Sequence, residues 1–534
     1  MCVRLVQTND VSFLLAGVIG LVLSGGAAAL PGGDFNGDGF DDLAIGVPDE
    51  DVGLRVDAGA VHVLYGSVGG LRATIASGAP IDARLFTESA TWWAGVSPQA
   101  GSRFGEALAI GDFNDDGFDD LAISAPGRDI VAVADAGRVY VVYGGHAGLG
   151  SGGSWIISEA SYARAVGAGD RFGLSLASGD FDGDGADDLV IGAPLDDLDA
   201  ADAGVAWLAY GAPGGLMLIP RRAPLHLVHW GMTPGPGDMF GWSLAVGNFD
   251  SDGYDDLIVG APGFDRLGVV NCGQAFAFHG GPRGTEFGGI VLLTQSIFPG
   301  GDVEEVGDQL GWSVAAGDFD GNWADDVAIG APLEDLGGIM NAGSVFVTGG
   351  IPGAGLTFGW HPDQSFEQDR FGLDGNEPDD QYGVAVITGD WNGDGCDDLV
   401  IGMPEQSIGA AVSAGVIHVL PGDLGFGPGL GAFPAFRWHQ NTTGVLDVAE
   451  SDDRFGAALG KGDYNGDGFD DLVVGVPGED VGGVADCGCV QVFYGSAAGL
   501  SAAADQVWHQ GSRGVRDANE AGDAFGSVIG FKRW

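Results

Sequence analysis

A chain of 534 residues is too long for one ordinary hydrophobic core, so it holds either several domains or an internally repeated fold. Glycine supplies 101 residues while 45% of the chain is hydrophobic, which excludes disorder and points to many short strands joined by turns. With 75 acidic residues against 21 basic ones the formal charge is −54, which repels nucleic acid and anionic membranes and excludes both as partners.

In chain order, residues 1–29 read as a signal peptide. Arg4 precedes an apolar run from Val11 to Leu23, and Ala27, Ala28 and Ala29 supply small residues for cleavage. The run is shorter than the ~20 residues a spanning helix needs. This divides the chain into a leader and a single domain over 30–534, and predicts a protein that is secreted, periplasmic or held at the cell surface, without a membrane span. Beyond the leader lie Cys272, Cys396, Cys487 and Cys489, whose spacing shows no disulfide framework. Cys272 and Cys487 occupy the same place in two repeats and are expected to be small buried residues, and Cys487 and Cys489 fall on one face of a predicted strand.

From Asp34 onward one segment recurs. DFNGDGFDDLAIGVP starts at Asp34, DFNDDGFDDLAISAP at Asp112, DFDGDGADDLVIGAP at Asp180 and NFDSDGYDDLIVGAP at Asn248. DFDGNWADDVAIGAP follows at Asp318, DWNGDGCDDLVIGMP at Asp390 and DYNGDGFDDLVVGVP at Asp463. Upstream of the later copies stands an aromatic residue or Leu before Gly: Phe104, Phe172, Phe240, Leu310, Tyr382 and Phe455. A short alternating run leads from that pair into the loop. Downstream come a Gly-Ala-Pro-like stop and a β-branched, aromatic run such as AVHVL from Ala60. This reads as four strands per repeat, and four-stranded units repeated seven times close radially into an all-β, seven-bladed propeller. The first repeat lacks its aromatic-Gly strand, whereas FGSVIG from Phe525 is such a strand without a loop after it. The C-terminal strand is therefore expected to complete the first blade and close the ring, with Ala27–Gly33 as an alternative contributor.

The repeated segment has the pattern D-x-[D/N]-x-D-G-x-x-D. Calcium takes six to eight oxygen ligands, and this loop offers side chains at positions 1, 3, 5 and 9 and a backbone carbonyl at 7, with a turn glycine at 6. The candidate ligands are Asp34, Asn36, Asp38 and Asp42; Asp112, Asn114, Asp116 and Asp120; Asp180, Asp182, Asp184 and Asp188; and Asn248, Asp250, Asp252 and Asp256. The last three loops offer Asp318, Asp320, Asn322 and Asp326; Asp390, Asn392, Asp394 and Asp398; and Asp463, Asn465, Asp467 and Asp471. Up to seven calcium ions are predicted, since carboxylates gathered this closely repel without a cation. The fifth loop carries Asn322 for aspartate and Trp323 for the turn glycine, and is expected to bind most weakly. Position 12 is apolar (Ile45, Ile123, Ile191), which rules out the EF-hand pattern.

The aromatic-Gly start, the calcium hairpin and the Gly-Ala-Pro stop resemble the FG-GAP repeat of the integrin α-chain propeller. The resemblance implies a seven-bladed propeller with calcium in hairpin loops on one face and, by analogy alone, adhesion to extracellular protein or polysaccharide ligands. A monomeric, non-catalytic binding module is the expectation, and a propeller-based polysaccharide lyase or hydrolase is the alternative. No G-x-S-x-G or H-E-x-x-H occurs, and His229, His361, His439 and His509, each beside a Trp, read as a recurring structural feature. Ligand contacts are expected opposite the calcium loops, in the stretches 84–103, 217–239, 285–309, 352–381 and 425–454, where Trp92, Trp93 and Trp360 either stack on sugars or pack between blades. Asn441-Thr442-Thr443 is a glycosylation sequon.

Overall fold

The computed structural model describes residues 33–73, 83–90, 93, 95–218, 224–282, 284, 289–298, 303–356, 363–424, 429–431 and 435–530, and the backbone of 23–24. The remaining leader residues, Ala27–Gly32, Trp92, Trp360 and His361 lie outside them. The described strands form seven sheets, one per repeat, six of them with the antiparallel order inner, second, third, fourth. Blade two, for example, runs Leu108–Gly111, Asp120–Ala125, Arg138–Val142 and Ser154–Ile157. The second and third strands are buried along nearly their whole length, as their predominantly apolar content requires. Blade three keeps three regular strands, and its fourth is reduced to the bridges Ala206 to Leu225 and Tyr210 to Met217. The two-residue strand Leu23–Ser24 pairs in parallel with Leu244–Gly247, the inner strand of blade four.

The ring closes as the repeat count predicts. Val528–Gly530 pairs antiparallel with Leu43–Val47 and becomes the inner strand of blade one, with Ile529 opposite Ile45. The residues that define the repeat also define the seams between blades. Phe104, Phe172, Phe240, Leu310, Tyr382, Phe455 and Phe525 are all fully buried. In six seams the glycine after this residue lies against the stop glycine of the preceding blade, and at Gly173 the counterpart is Ser124. A Cβ on Gly46 would stand 2.1 Å from the Gly105 carbonyl oxygen, and one on Gly475 would stand 2.0 Å from that of Gly526. Glycine is required there because two backbones touch. The Gly475 contact belongs to the closing seam, so Phe525-Gly526 serves blade one as its counterparts serve the others.

On the rim away from the aspartate loops, each seam is closed by a residue just after one blade's fourth strand meeting a residue just after the next blade's second strand. Gln440 donates to Glu479 at 2.7 Å, Arg128 donates to Glu88 at 2.8 Å, and Gln510 donates to Glu50 across the closure.

Candidate metal centres

Six of the aspartate loops join the inner strand of their blade to the second strand, and loop one leads into the second strand Leu43–Val47 beside the inner strand Val528–Gly530, so all seven open on one rim. Position 9 is the first residue of the second strand in six blades, as in Asp120–Ala125 and Asp188–Ala193, and Asp42 directly precedes Leu43–Val47. In loop one, Asp34 Oδ1 accepts the N–H of Gly37 at 2.7 Å and of Asp38 at 3.1 Å, while Oδ2 accepts that of Gly39 at 2.8 Å. Asp42 is buried, and its oxygens accept the N–H groups of Phe35 and Gly66, each at 3.0 Å. The bond from the end of the third strand recurs from Gly144, Gly211, Gly280, Gly350, Gly422 and Gly495.

Without a cation the position-9 carboxyls of Asp42, Asp120, Asp188, Asp326, Asp398 and Asp471 resist ionisation. Burial, reinforced by neighbouring loop carboxylates and opposed by the amide bonds, pushes Asp120, Asp188 and Asp471 up to about 9 and Asp398 up to about 8. Asp42 and Asp326 are raised well above the usual carboxylate range for the same reason. Oxygens of Asp180, Asp182 and Asp188 lie within 4.8 Å of one another, as do those of Asp318, Asp320 and Asp326. Ligands at about 2.3–2.6 Å around one calcium ion span at most about 5 Å, so both sets fit that ion. In loop four, Asp250 and Asp256 are joined by His279, whose Nδ1 lies 3.2 Å from Asp256. In the loops with asparagine at position 3, Nδ2 of Asn36, Asn114, Asn392 and Asn465 faces the position-9 carboxylate at 3.2, 3.3, 3.2 and 3.4 Å. A half-turn of each amide would offer its oxygen instead, the atom a hard cation needs. Position 5 sits at the open rim: Asp38, Asp116, Asp184, Asp252, Asp394 and Asp467 are exposed. Trp323 holds a φ of 76° where the turn glycines of the other loops hold 83° to 97°.

One functional position escapes the ligand pattern. The aspartate at position 8 of each loop turns to the preceding blade. Asp119 accepts the N–H of Asp34 at 2.9 Å, Asp187 that of Asp112 at 2.8 Å and Asp255 that of Asp180 at 2.9 Å. The same bond runs from Asn248 to Asp325, Asp318 to Asp397 and Asp390 to Asp470, and Asp463 donates to Asp41 across the closure at 2.6 Å. The position-8 amide donates back to the same partner, as from Asp119 to the Asp34 carbonyl at 3.2 Å. The signal was present in the sequence, because the doublet Asp-Asp stands at positions 8 and 9 in all seven copies.

Residues 25–64, 104–142, 172–209, 240–277, 310–348 and 455–488 match the FG-GAP repeat family. With the seven seams built from those same aromatic-Gly and Gly-Ala-Pro residues, the assignment is decided. This chain is an FG-GAP repeat propeller of the integrin α type. Its repeat from Tyr382, outside the six matched ranges, builds the same four strands. The FG-GAP chain is 26% identical to bovine (Bos taurus) phosphatidylinositol-glycan-specific phospholipase D over 382 residues, 70% of this chain and 43% of that protein. It is 36% identical to the rat (Rattus norvegicus) phospholipase over 34% of this chain and 20% of that one, and 30% identical to integrin alpha-PS2 of Drosophila melanogaster over 44% and 16%. It thus spans less than half the length of these relatives. The exotype rhamnogalacturonan lyase YesX aligns at 13% identity over 69% of each chain with a TM-score of 0.29, a likeness that carries no argument.

The FG-GAP architecture corrects several finer expectations. His226, not His229, occupies the place of His439 and His509: it precedes the turn Leu227–Trp230 as they precede Gln440 and Gln510. His439 and His509 donate their backbone N–H to Thr442 and Ser512, a capping role. Trp93 packs against Phe104 and Tyr140 inside a seam and cannot stack on a ligand. Cys487 precedes the strand Cys489–Tyr494, and the four described cysteines are free and buried. The stretches assigned to the opposite rim are split between the two. Residues between third and fourth strands lie on the loop rim, where Gly353 donates to the Asp250 carbonyl at 2.6 Å. There a cleft of about 360 Å³ beside loop six is lined by Asn392, Asp394, Asp398, Phe436, Trp438 and Leu500. Among the described residues no helix is long and apolar enough to cross a membrane.

Proposed function

We propose that this chain is a secreted, calcium-binding, non-catalytic propeller whose rim presents a binding surface to an extracellular protein or polysaccharide. One observation carries the reading: seven similar loops open on one rim, each built on a buried position-9 aspartate, and burial makes Asp120 and Asp188 hard to ionise without a cation beside them. In each loop the side chains at positions 1, 3, 5 and 9 would hold the ion. The bound ion supplies positive charge that keeps those carboxylates ionised and the loop fixed.

The cleft beside loop six favours the loop rim as the ligand face, because exposed Phe436 and half-buried Trp438 stand there beside Asp394. An apolar ring beside a cation site suits a sugar, which stacks one face and coordinates through hydroxyls. The relatives include both a phospholipase and integrins, and their activities and ligands reach this chain only as part of this proposal. The leader over 1–29, the propeller domain over 30–534 and a monomeric state belong to it as well. The test is a screen of polysaccharides and matrix proteins with calcium and with EGTA. Calcium-dependent binding without product supports the module. Turnover of a bound polysaccharide overturns the non-catalytic reading in favour of a lyase or hydrolase.

A further inference from the structure

The seam between blades two and three departs from the others on the rim away from the calcium loops. Glu159, the first residue of the turn Glu159–Tyr162, meets Asp196 and Asp170, and all three are almost wholly buried. One oxygen from each lies within 4.8 Å of those of the other two. The remaining seams provide internal controls. At the same two places Gln440 faces Glu479, Gln368 faces Gln406, Glu88 faces Arg128, and Leu227 and Phe264 belong to one apolar cluster. A donor or an apolar partner thus stands opposite, whereas here acid meets acid.

Glu88 shows what a satisfied glutamate needs at this position. It accepts from Tyr140, Ser102, Arg128 and the Gln99 amide. Glu159 accepts the Gly167 amide at 3.1 Å on Oε2, and its buried Oε1 has no hydrogen-bond partner. Trp207 stands where Tyr140 does and its indole N–H reaches no acceptor. Asp196 Oδ1 accepts from Leu198 at 2.7 Å and from Arg164 at 3.2 Å, while its buried Oδ2 is likewise unpartnered. Among the described residues Arg164 is the one cation in contact, and it offsets one of three charges. Unpaired buried carboxylate oxygens are costly, and burial pushes both Glu159 and Asp170 upward.

We infer that Glu159, Asp170 and Asp196 form an eighth cation site, which takes a hard divalent ion of the calcium class and pins blade two to blade three. All three ligands are carboxylate oxygens, and their mutual separation is what an ion bonded at about 2.3–2.6 Å allows. The site goes beyond the loop reading and does not depend on it, since the loops lie on the other rim. The experiment counts calcium bound at saturation by equilibrium dialysis on the full chain. Glu159→Gln installs the residue found at this place in blades four, five, six and seven, and Asp170→Asn keeps the shape. Glu159→Gln is expected to bind one calcium fewer per chain than wild type, and Asp170→Asn to weaken that one site at least tenfold. Should Glu159→Gln fail to fold, Asp170→Asn decides alone. Equal counts and affinities overturn the site and assign the triad to a shared proton. Loss of calcium from the loops in wild type would leave this one-ion difference readable, so the two proposals fail separately.

Discussion

At Trp323 a bulky residue takes a left-handed backbone, with its side chain 74% exposed and so without packing to offset the cost. Such strain is of order 1–3 kcal/mol, less the entropy that a flexible residue adds to the unfolded chain. Trp323→Gly should therefore raise stability by roughly 1 kcal/mol in a denaturant titration, and a lower midpoint would show that the indole contributes more than the strain costs. A second residue-scale effect concerns Glu50. Burial, with the charges of Asp517 and Asp523 behind it, pushes it up to about 8. Folded chain holds a proton that the unfolded chain releases near about 4.3. The stability this group adds is whole below that lower value and is lost as the pH rises through about 8. Glu50→Gln copies the Gln368–Gln406 seam and should shrink the fall in Tm between acidic and mildly alkaline buffer, measured in saturating calcium. A fall as large as in wild type would place the dependence on other groups.

At the scale of the loop, the adjacent aspartates at positions 8 and 9 have different work. Asp119 braces the neighbouring blade through the Asp34 amide, while Asp116 at position 5 stands at the open rim. Asp119→Ala leaves the Asp34 amide without its acceptor, a loss of about 1–3 kcal/mol. It should lower Tm by similar amounts in calcium and in EGTA. Asp116→Ala should leave the EGTA melting curve in place and reduce the gain on adding calcium. The reverse pattern in the two variants would show that position 8, not position 5, carries the metal.

At the scale of the ring, two properties stand out. Calcium bound by extracellular modules at about 10⁻⁴ to 10⁻³ M stabilises each site by roughly 1.4 kcal/mol at tenfold excess. If all seven loops bind as proposed, together they would reach roughly 10 kcal/mol, comparable with the whole stability of a domain. EGTA should therefore lower Tm steeply, calcium should restore it, and an unmoved melting curve would remove the metal from the account. Closure is the other property. Deleting 523–534 removes Phe525 and the strand Val528–Gly530, which leaves Leu43–Val47 with an unpaired edge and opens the Gly475 seam. The truncated chain should aggregate or melt far lower even in saturating calcium. Full stability would mean that this strand is dispensable for the ring.

Much of this was legible in the sequence, because a repeat states each local rule seven times. The loop spacing, the turn glycines, the buried aromatic before glycine and the unpaired strand at Phe525 follow from the chain alone, since each is a local backbone or burial requirement. The partners across seams were not legible. That Asp119 serves Asp34, that Gly46 meets Gly105, and that Trp93 is buried while Phe436 is exposed depend on which blade lies beside which. The acid triad is the sharpest case. Glu159 and Asp196 read separately as two of many surface carboxylates, and only the tertiary structure places them face to face in a seam from which water is excluded. Local rules decide what each segment becomes, whereas contacts between residues distant in the chain are decided by how the blades pack.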